Sequence, residues 1–332
     1  MTQRITMADV AREAGVSLMT VSRALNDKDG ISDETRIRIQ EVVARLGYRP
    51  SGIARGLVTK RTGTLGLVVP DNANPYFSEV GRGVEHAAYA RGYNVFLCNT
   101  EEDLQRETIV LQSLTEKQVD GLILCSPRLH DDELSKALSY FPACVLINRV
   151  IDNHDSSAIR SDDVNGARLA VHHLIEGGHR AIGMLAGPKR SFSGKLRQNG
   201  YLSAFTEAGI PHDASWMQYC LPMVEASQTA TIELINRHPD LTALFCFNDL
   251  VAVGAMKACT ELGLNVPKDM AIIGFDDIPL ASLVTPALTT VHIPRYEIGL
   301  QAGEMLLAKI EGKLVQDLTV LPVELTLRAS AP

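Results

Sequence analysis

From Leu65 onward the chain repeats one pattern, a short near-continuous apolar run followed by a longer amphipathic stretch. Leu65-Gly66-Leu67-Val68-Val69 runs into Pro70-Asp71, and residues 76–91 then read as a helix stopped by Gly92. A run that is apolar at every position is a strand buried on both faces, and such strands belong to parallel sheets covered by helices. Further strand runs lie at 94–98, 121–125 and 144–147, with helices at 106–117 and 132–140 between them. The pattern then starts again: strands at 181–185, 243–246 and 271–275, helices at 165–176, 195–208, 226–237 and 249–262. Alternation of this kind implies open, doubly wound sheets, here two α/β halves of similar size. The 45% hydrophobic content is enough for cores of that extent.

A different pattern precedes it. Thr6 can accept from the first free amides of a helix, and Asp9, three residues on, can reach back to it as a capping-box partner. Val10, Ala11 and Ala14 give that helix one small apolar face, and Gly15 ends it, since glycine enters the left-handed conformation cheaply. Ser17 caps a second helix whose apolar face is Val21, Ala24 and Leu25, while Leu18, Met19, Ser22 and Arg23 point elsewhere. Two short helices around a tight turn, with small residues at the crossing, form the helix-turn-helix pattern, whose second helix lies in the DNA major groove. Ser32 caps a third helix over 33–46, ended by Gly47. Ile5, Val10, Val16, Val21, Leu25, Ile31, Ile37 and Val42 are the candidates for its small core. Pro50 opens a linker in which Ser51 caps a short helix from Gly52 to about Thr59. With Gly52 and Gly56 inside it, that helix should form only when two copies pack on DNA.

The segments DVAREAGVSLMTVSRALN and GYRPSGIARGL together resemble the headpiece and hinge helix of the lactose-repressor/galactose-repressor (LacI/GalR) family of bacterial transcription regulators. The resemblance runs along nearly the whole chain. It implies an all-α headpiece (1–48), a hinge helix and linker (49–63), and a periplasmic-binding-protein-like core (64–332) of two doubly wound subdomains. The first subdomain would hold about 64–161 and 292–320, the second about 162–291 and 321–330. The chain would cross between them near Ser161, Val291 and Leu321. The resemblance also implies that Leu18, Met19 and Arg23 face base edges, and that Thr6, Ser17, Thr20, Ser22, Asn26, Ser32, Thr35 and Tyr48 hold the DNA backbone. Leu57, beside Ala54, matches the family leucine that wedges into the minor groove. Leu18 and Met19 depart from the polar readers of some relatives and offer only apolar contact, for instance to thymine methyls.

Charge is distributed accordingly. Residues 1–61 hold 11 Lys and Arg against 7 Asp and Glu, a net of +4, and the remainder holds 21 against 32, a net of −11. A basic module on an acidic body suits a protein that touches nucleic acid at one end. The six cysteines are scattered without a C-x-x-C pair and read as buried, reduced thiols. No segment reaches the roughly 18 consecutive apolar residues of a membrane span, and Met1-Thr2-Gln3-Arg4 begins no signal-peptide core. The expected location is the cytoplasm.

In open α/β sheets ligands sit at the carboxyl ends of the strands. Asp71, Asn74, Pro75, Tyr76 and Phe77 follow the first strand, Asn148 and Arg149 the fourth, Asn248 and Asp249 the run at 243–246, and Asp276 and Asp277 the run at 271–275. Asn, Asp and Arg with a few aromatics suit a molecule rich in hydroxyls. The effector candidates are Asp71, Asn74, Phe77, Asn148, Arg149, Arg197, Asn248 and Asp276, of which Arg197, Asn248 and Asp276 match family contacts. Asp249 and Asp277 equally suit helix or turn caps. Lys189, Arg190 and Lys195 read as a solvated face, although with Arg149 they leave an acidic or phosphorylated sugar open. The favoured effector is a sugar or sugar derivative, with a corepressor such as a nucleobase as the alternative.

An enzyme reading finds little. The loop PDNANPYF lacks the glycines that bring backbone against a pyrophosphate. There is no G-x-x-x-x-G-K-S/T and no G-x-S-x-G. His172-His173 falls within a helix with no third ligand nearby, so no catalytic residue, cofactor or metal is expected. A transporter's sugar-binding protein would need an export signal and no helix-turn-helix. After the last strand Arg328-Ala-Ser-Ala-Pro332 offers no leucine heptads, which leads to the expectation of a homodimer built through the core.

Overall fold

The structure, a computed structural model, describes residues 5–26, 29–48, 61–151 and 156–332. It divides into two compact units, Met1–Thr62 and Gly63–Pro332.

In the first unit, helices α1 (Met7–Ala14), α2 (Leu18–Leu25) and α3 (Asp33–Leu46) enclose a small core. All three starts are capped. The Thr6 hydroxyl accepts from Asp9 N at 3.3 Å and the Asp9 carboxylate takes the Thr6 backbone N–H at 3.0 Å, a reciprocal capping box. Ser17 accepts from Thr20 N at 3.1 Å and Ser32 from Thr35 N at 3.3 Å. Gly15 ends α1 at φ 65°, a conformation that costs a side-chain-bearing residue more. Val10, Ala11, Ala14, Val21, Ala24, Ile39, Val42 and Tyr48 fill the interior. Two expectations fail here. Ile5 and Ile37 are exposed. Ile39, not Ile37, faces inward, because the inner stripe of α3 runs through Ile39, Val42 and Leu46, and two residues of helix turn Ile37 to the opposite side.

The second unit contains two six-stranded sheets. The first holds β1 (Thr64–Val69), β2 (Asn94–Asn99), β3 (Gly121–Cys125), β4 (Cys144–Ile147), β5 (Ser157–Ser161) and β11 (Leu318–Leu321), in the order β11-β5-β4-β3-β1-β2, parallel throughout. The second holds β6 (Ile182–Ala186), β7 (Met217–Tyr219), β8 (Ala243–Cys246), β9 (Ala271–Asp276), β10 (Thr289–His292) and β12 (Glu324–Thr326), in the order β12-β10-β9-β8-β6-β7. Only β12 runs antiparallel to its neighbour.

Helices α4 (Pro75–Tyr89), α5 (Leu104–Glu116) and α6 (Asp131–Leu138) link the strands of the first sheet. Helices α7 (Asp163–Glu176), α8 (Phe192–Ala208), α9 (Val224–Arg237), α10 (Asp249–Glu261) and the single turn α11 (Leu280–Leu283) serve the second. The chain passes between the sheets after β5, after β10 and between β11 and β12. After β10, helix α12 (Arg295–Ile310) returns to the first sheet and packs along α4. The two helices meet backbone to backbone: a Cβ on Gly83 would strike Tyr296 O, and one on Gly299 would strike Val80 O. Among the described residues no helix is long and apolar enough to cross a membrane.

Candidate functional site

On the headpiece, α2 turns its Val21 and Ala24 inward and leaves Leu18 53% and Met19 66% exposed. Arg23 is also exposed, and its Nη1 lies 3.1 Å from where a Gly30 side chain would begin. One face of α2 therefore presents two apolar side chains and a guanidinium. Hydroxyls cluster at the helix starts, Ser17 with Thr20 at 2.8 Å and Ser32 with Thr35 at 2.9 Å. Thr6 donates its hydroxyl to Asp9 at 2.7 Å, and the Asn26 amide donates to Ser22 O at 2.8 Å. Tyr48 packs its side chain into the headpiece core. Ala54, Leu57 and the hinge helix expected around them lie outside the described residues.

In the core unit a cavity lies where strand ends of the two sheets face each other. Asn74, Phe77, Asn148, Arg197, Asn248 and Asp276 all line it. Arg197, on α8, is nearly fully buried. Its Nε donates to Asp163 Oδ1 at 2.8 Å, its Nη1 donates to Phe247 O, and its Nη2 lies 3.5 Å from Asp276 Oδ1. The guanidinium is held between rings, 3.8 Å from the Phe275 centroid and 4.9 Å from that of Phe247. Contact with the two rings and bonds along its edges fix this fork in one orientation.

Burial pushes the Asp276 carboxyl up to about 7, against the pull of Arg197 and Arg295, and Asp163 adds to the rise. Burial also raises Asp163, which Arg197 and Ser161 draw back down. Across the cavity, Asn148 donates its amide to Tyr76 Oη at 2.8 Å, and its Oδ1 has no donor near it among the described residues. Asn248 caps α10 by accepting from Val251 N at 3.0 Å, and Asn74 caps α4 by accepting from Tyr76 N at 3.0 Å. Both asparagines thus hold a helix start against the cavity.

Backbone strain gathers here too. Glu102, Ser126, Asn148 and Asp276 have φ of 59°, 48°, 57° and 106°. Each such residue costs about 1–3 kcal/mol and persists only where its surroundings enforce it, which is common at ligand clamps.

Two effector candidates are not part of the lining. Asp71 turns back on its own loop, accepting from Ala73 N at 2.9 Å. Arg149 pairs with Asp131 at 2.5 Å and lies over the Phe192 ring. Lys189, Arg190 and Lys195 are exposed. Asp249 is structural: it accepts from Ile278 N at 2.8 Å and Thr290 Oγ1 at 2.5 Å. His172 pairs with Glu207 and His173 meets Ala331 O at 3.1 Å.

The lining also includes Tyr76, Glu102, Ser126, Arg128, Ser193, Pro222 and Phe247. Glu102, Ser126 and Arg128 follow β2 and β3. The strand-end position that marks Asn148 and Asp276 marks them equally.

A helix-turn-helix unit on the same chain as a two-sheet ligand clamp defines a ligand-responsive DNA-binding regulator. Residues 6–51 match the family model "Bacterial regulatory proteins, lacI family", and residues 62–326 match "Periplasmic binding proteins and sugar binding domain of LacI family". The chain belongs to the LacI family of bacterial transcriptional regulators. It is 37% identical over 308 residues to the ribose operon repressor of Halalkalibacterium halodurans, covering 93% of this chain and 91% of that one. It is 36% identical over 310 residues to the HTH-type transcriptional regulator GalS of Salmonella typhimurium, with 93% and 91% covered. Its fold matches that of the Lac repressor dimer bound to operator and the anti-inducer ONPF, with a TM-score of 0.88, 29% identity and 99% of each chain covered. These relatives are transcriptional regulators, not enzymes.

Proposed function

We propose that this chain is a repressor that binds a palindromic operator as a homodimer and is released by a small polyhydroxylated effector, a sugar or sugar derivative, held in the core cavity. In this reading residues 1–48 are the DNA-binding headpiece, 49–63 the hinge, and 64–332 the effector-binding and dimerisation core. Within the core, about 64–161 with 292–320 and about 162–291 with 321–330 act as its two jaws. A chain that works on operator DNA works in the cytoplasm.

The observation that carries the effector reading is the Arg197–Asp276 pair, held rigid between aromatic rings at the cavity wall. A fixed guanidinium donates to a sugar's oxygens while the neighbouring carboxyl accepts from its hydroxyls, and aromatic faces cover the C–H side. Asn74, Phe77, Asn148 and Asn248 complete the contacts. The relative named for a ribose operon supports a carbohydrate.

For DNA, Leu18, Met19 and Arg23 read base edges. Thr6, Ser17, Thr20, Ser22, Asn26, Ser32, Thr35 and Tyr48 hold phosphates. Arg23 can donate bidentately to a guanine, worth about 1–3 kcal/mol of discrimination. Arg23→Ala should therefore lower the ratio of specific to random DNA binding about tenfold or more at fixed salt, read by fluorescence anisotropy. An unchanged ratio removes the base-reading role. For the effector, a thermal-shift panel of sugars, sugar acids, sugar phosphates and nucleobases should give its hit among the sugars. Arg197→Lys, which keeps a cation beside Asp163, should abolish that shift while operator binding persists. A nucleobase hit, or a full response in Arg197→Lys, overturns this assignment.

A further inference from the structure

The wall of the cavity facing Arg197 carries a second ion pair, which the functional reading above does not use. Arg128, after β3, donates Nε to Glu102 Oε2 at 2.5 Å and Nη2 to Glu102 Oε1 at 2.9 Å, a bidentate pair. Its Nη1 donates to Ser126 O at 2.7 Å. The side chains are only 5% and 15% exposed, so the pair sits largely out of water. Both partners line the cavity. Glu102 reaches Arg128 from the loop after β2, where Glu101 and Glu102 both have positive φ, 55° and 59°. Behind them the buried Glu107 carboxylate accepts from the backbone of Arg128 at 2.9 Å and of Leu129 at 3.3 Å. The guanidinium is therefore paired with Glu102, and the Glu107 carboxyl lies near enough to feel its charge.

The opposite wall repeats the arrangement. Arg197 lies between Asp163 and Asp276, with Arg295 donating to the Asp276 carbonyl from behind. Among the described residues, both cations that line the cavity, Arg128 and Arg197, have their forks turned to protein oxygens. An anion entering here gives up its water and meets guanidinium groups already paired with carboxylates, so its desolvation goes uncompensated. A hydroxyl faces no such penalty. It can donate to a carboxylate edge and accept from the N–H groups of Arg128 that are not committed, since three of five are directed to Glu102 and Ser126.

We propose that Glu102 and Arg128 are the specificity-determining pair of the cavity, fitting it to an uncharged polyhydroxylated effector and excluding phosphorylated and carboxylate-bearing ones. The proposal rests on the reading that the cavity takes the effector, and it narrows that reading by charge.

The test uses the full chain and inorganic phosphate as the probe. Glu102→Gln keeps one acceptor on Arg128 but removes the opposing charge, freeing a buried fork that suits a phosphate. Its affinity for phosphate, read by calorimetry or thermal shift at constant ionic strength, should rise at least tenfold over wild type. Glu102→Gln/Arg128→Gln should lose that gain, which separates the cavity from the headpiece's own phosphate contacts. Operator binding by each variant checks folding. Without any variant, wild type should bind ribose, galactose or glucose at least tenfold more tightly than ribose 5-phosphate, galacturonate or glucose 6-phosphate, whichever of the three pairs responds. Phosphate binding equal in wild type and Glu102→Gln, or an anionic sugar bound by wild type as tightly as its neutral parent, overturns the proposal. The loss of a sugar response in Arg197→Lys tests the effector reading on its own, so the two can fail separately.

Discussion

At the scale of single residues, buried charge dominates the core. Asp276 is held near 7 against an ordinary value of 3.8, chiefly by burial. Between those two values the folded chain binds more protons than the unfolded one, so this group's contribution to stability is lost as pH rises through that window. His179 and His212, lowered by burial, act in the opposite sense, because their unfolded forms bind more protons. The diagnostic is therefore a difference: Asp276→Asn should gain melting temperature over wild type at pH 8 and much less at pH 5. A gap independent of pH would mean that Asp276 is ionised throughout. Arg197→Ala should be worse tolerated than Arg197→Lys. It leaves the buried Asp163 without its partner, a change that typically costs about 3–5 kcal/mol and that urea denaturation would read. Residues whose role is local were legible in the sequence, as the caps Thr6, Ser17 and Ser32 show. Ile37 was not, because which side of α3 faces inward is set by α1 and α2, distant in sequence.

At the scale of elements, the apolar runs announced the buried central strands, and β1, β3, β4, β6, β8 and β9 lie where they were expected. The short strands β5, β7, β10 and β11 escaped. Strand β10 shows why: Thr289 and Thr290 are fully buried, yet their hydroxyls bond Arg328 O, Ala331 O and Asp249, so a polar sequence makes an interior strand. The α4–α12 pair was equally hidden, since its glycines look like helix weak points until the two helices are seen to touch. Gly299→Ala drives a Cβ into Val80 O, which can yield only if α4 shifts. The expected loss is about 1–3 kcal/mol, the usual range for overpacking. Because the start of α4 carries Asn74, Tyr76 and Phe77 to the cavity, effector affinity should fall as well. A stable Gly299→Ala protein with an unaltered thermal shift would uncouple that helix pair from the site.

At the scale of the whole molecule, the remaining matter is how many chains act together. Strand β2 ends the first sheet and leaves Phe96 46% and Leu97 49% exposed on an unpaired edge. Exposed apolar edges invite pairing unless something covers them. In the reading proposed here a second copy does so, which brings two headpieces to a palindromic site. Linking two half-site contacts in one particle raises affinity by roughly 100-fold to 10,000-fold over a single contact. Phe96→Glu places a charge on that edge without touching the cavity lining. Sedimentation should then change from about twice the 36.1 kDa chain mass to the chain mass itself. Operator affinity should drop by about 100-fold or more, while the thermal shift with an effector stays near the wild-type value, because the cavity lies within one chain. If Phe96→Glu still sediments at twice the chain mass, the edge of β2 is not what joins the copies. If it is monomeric yet binds operator as tightly as wild type, pairing through the core is not what sets operator affinity.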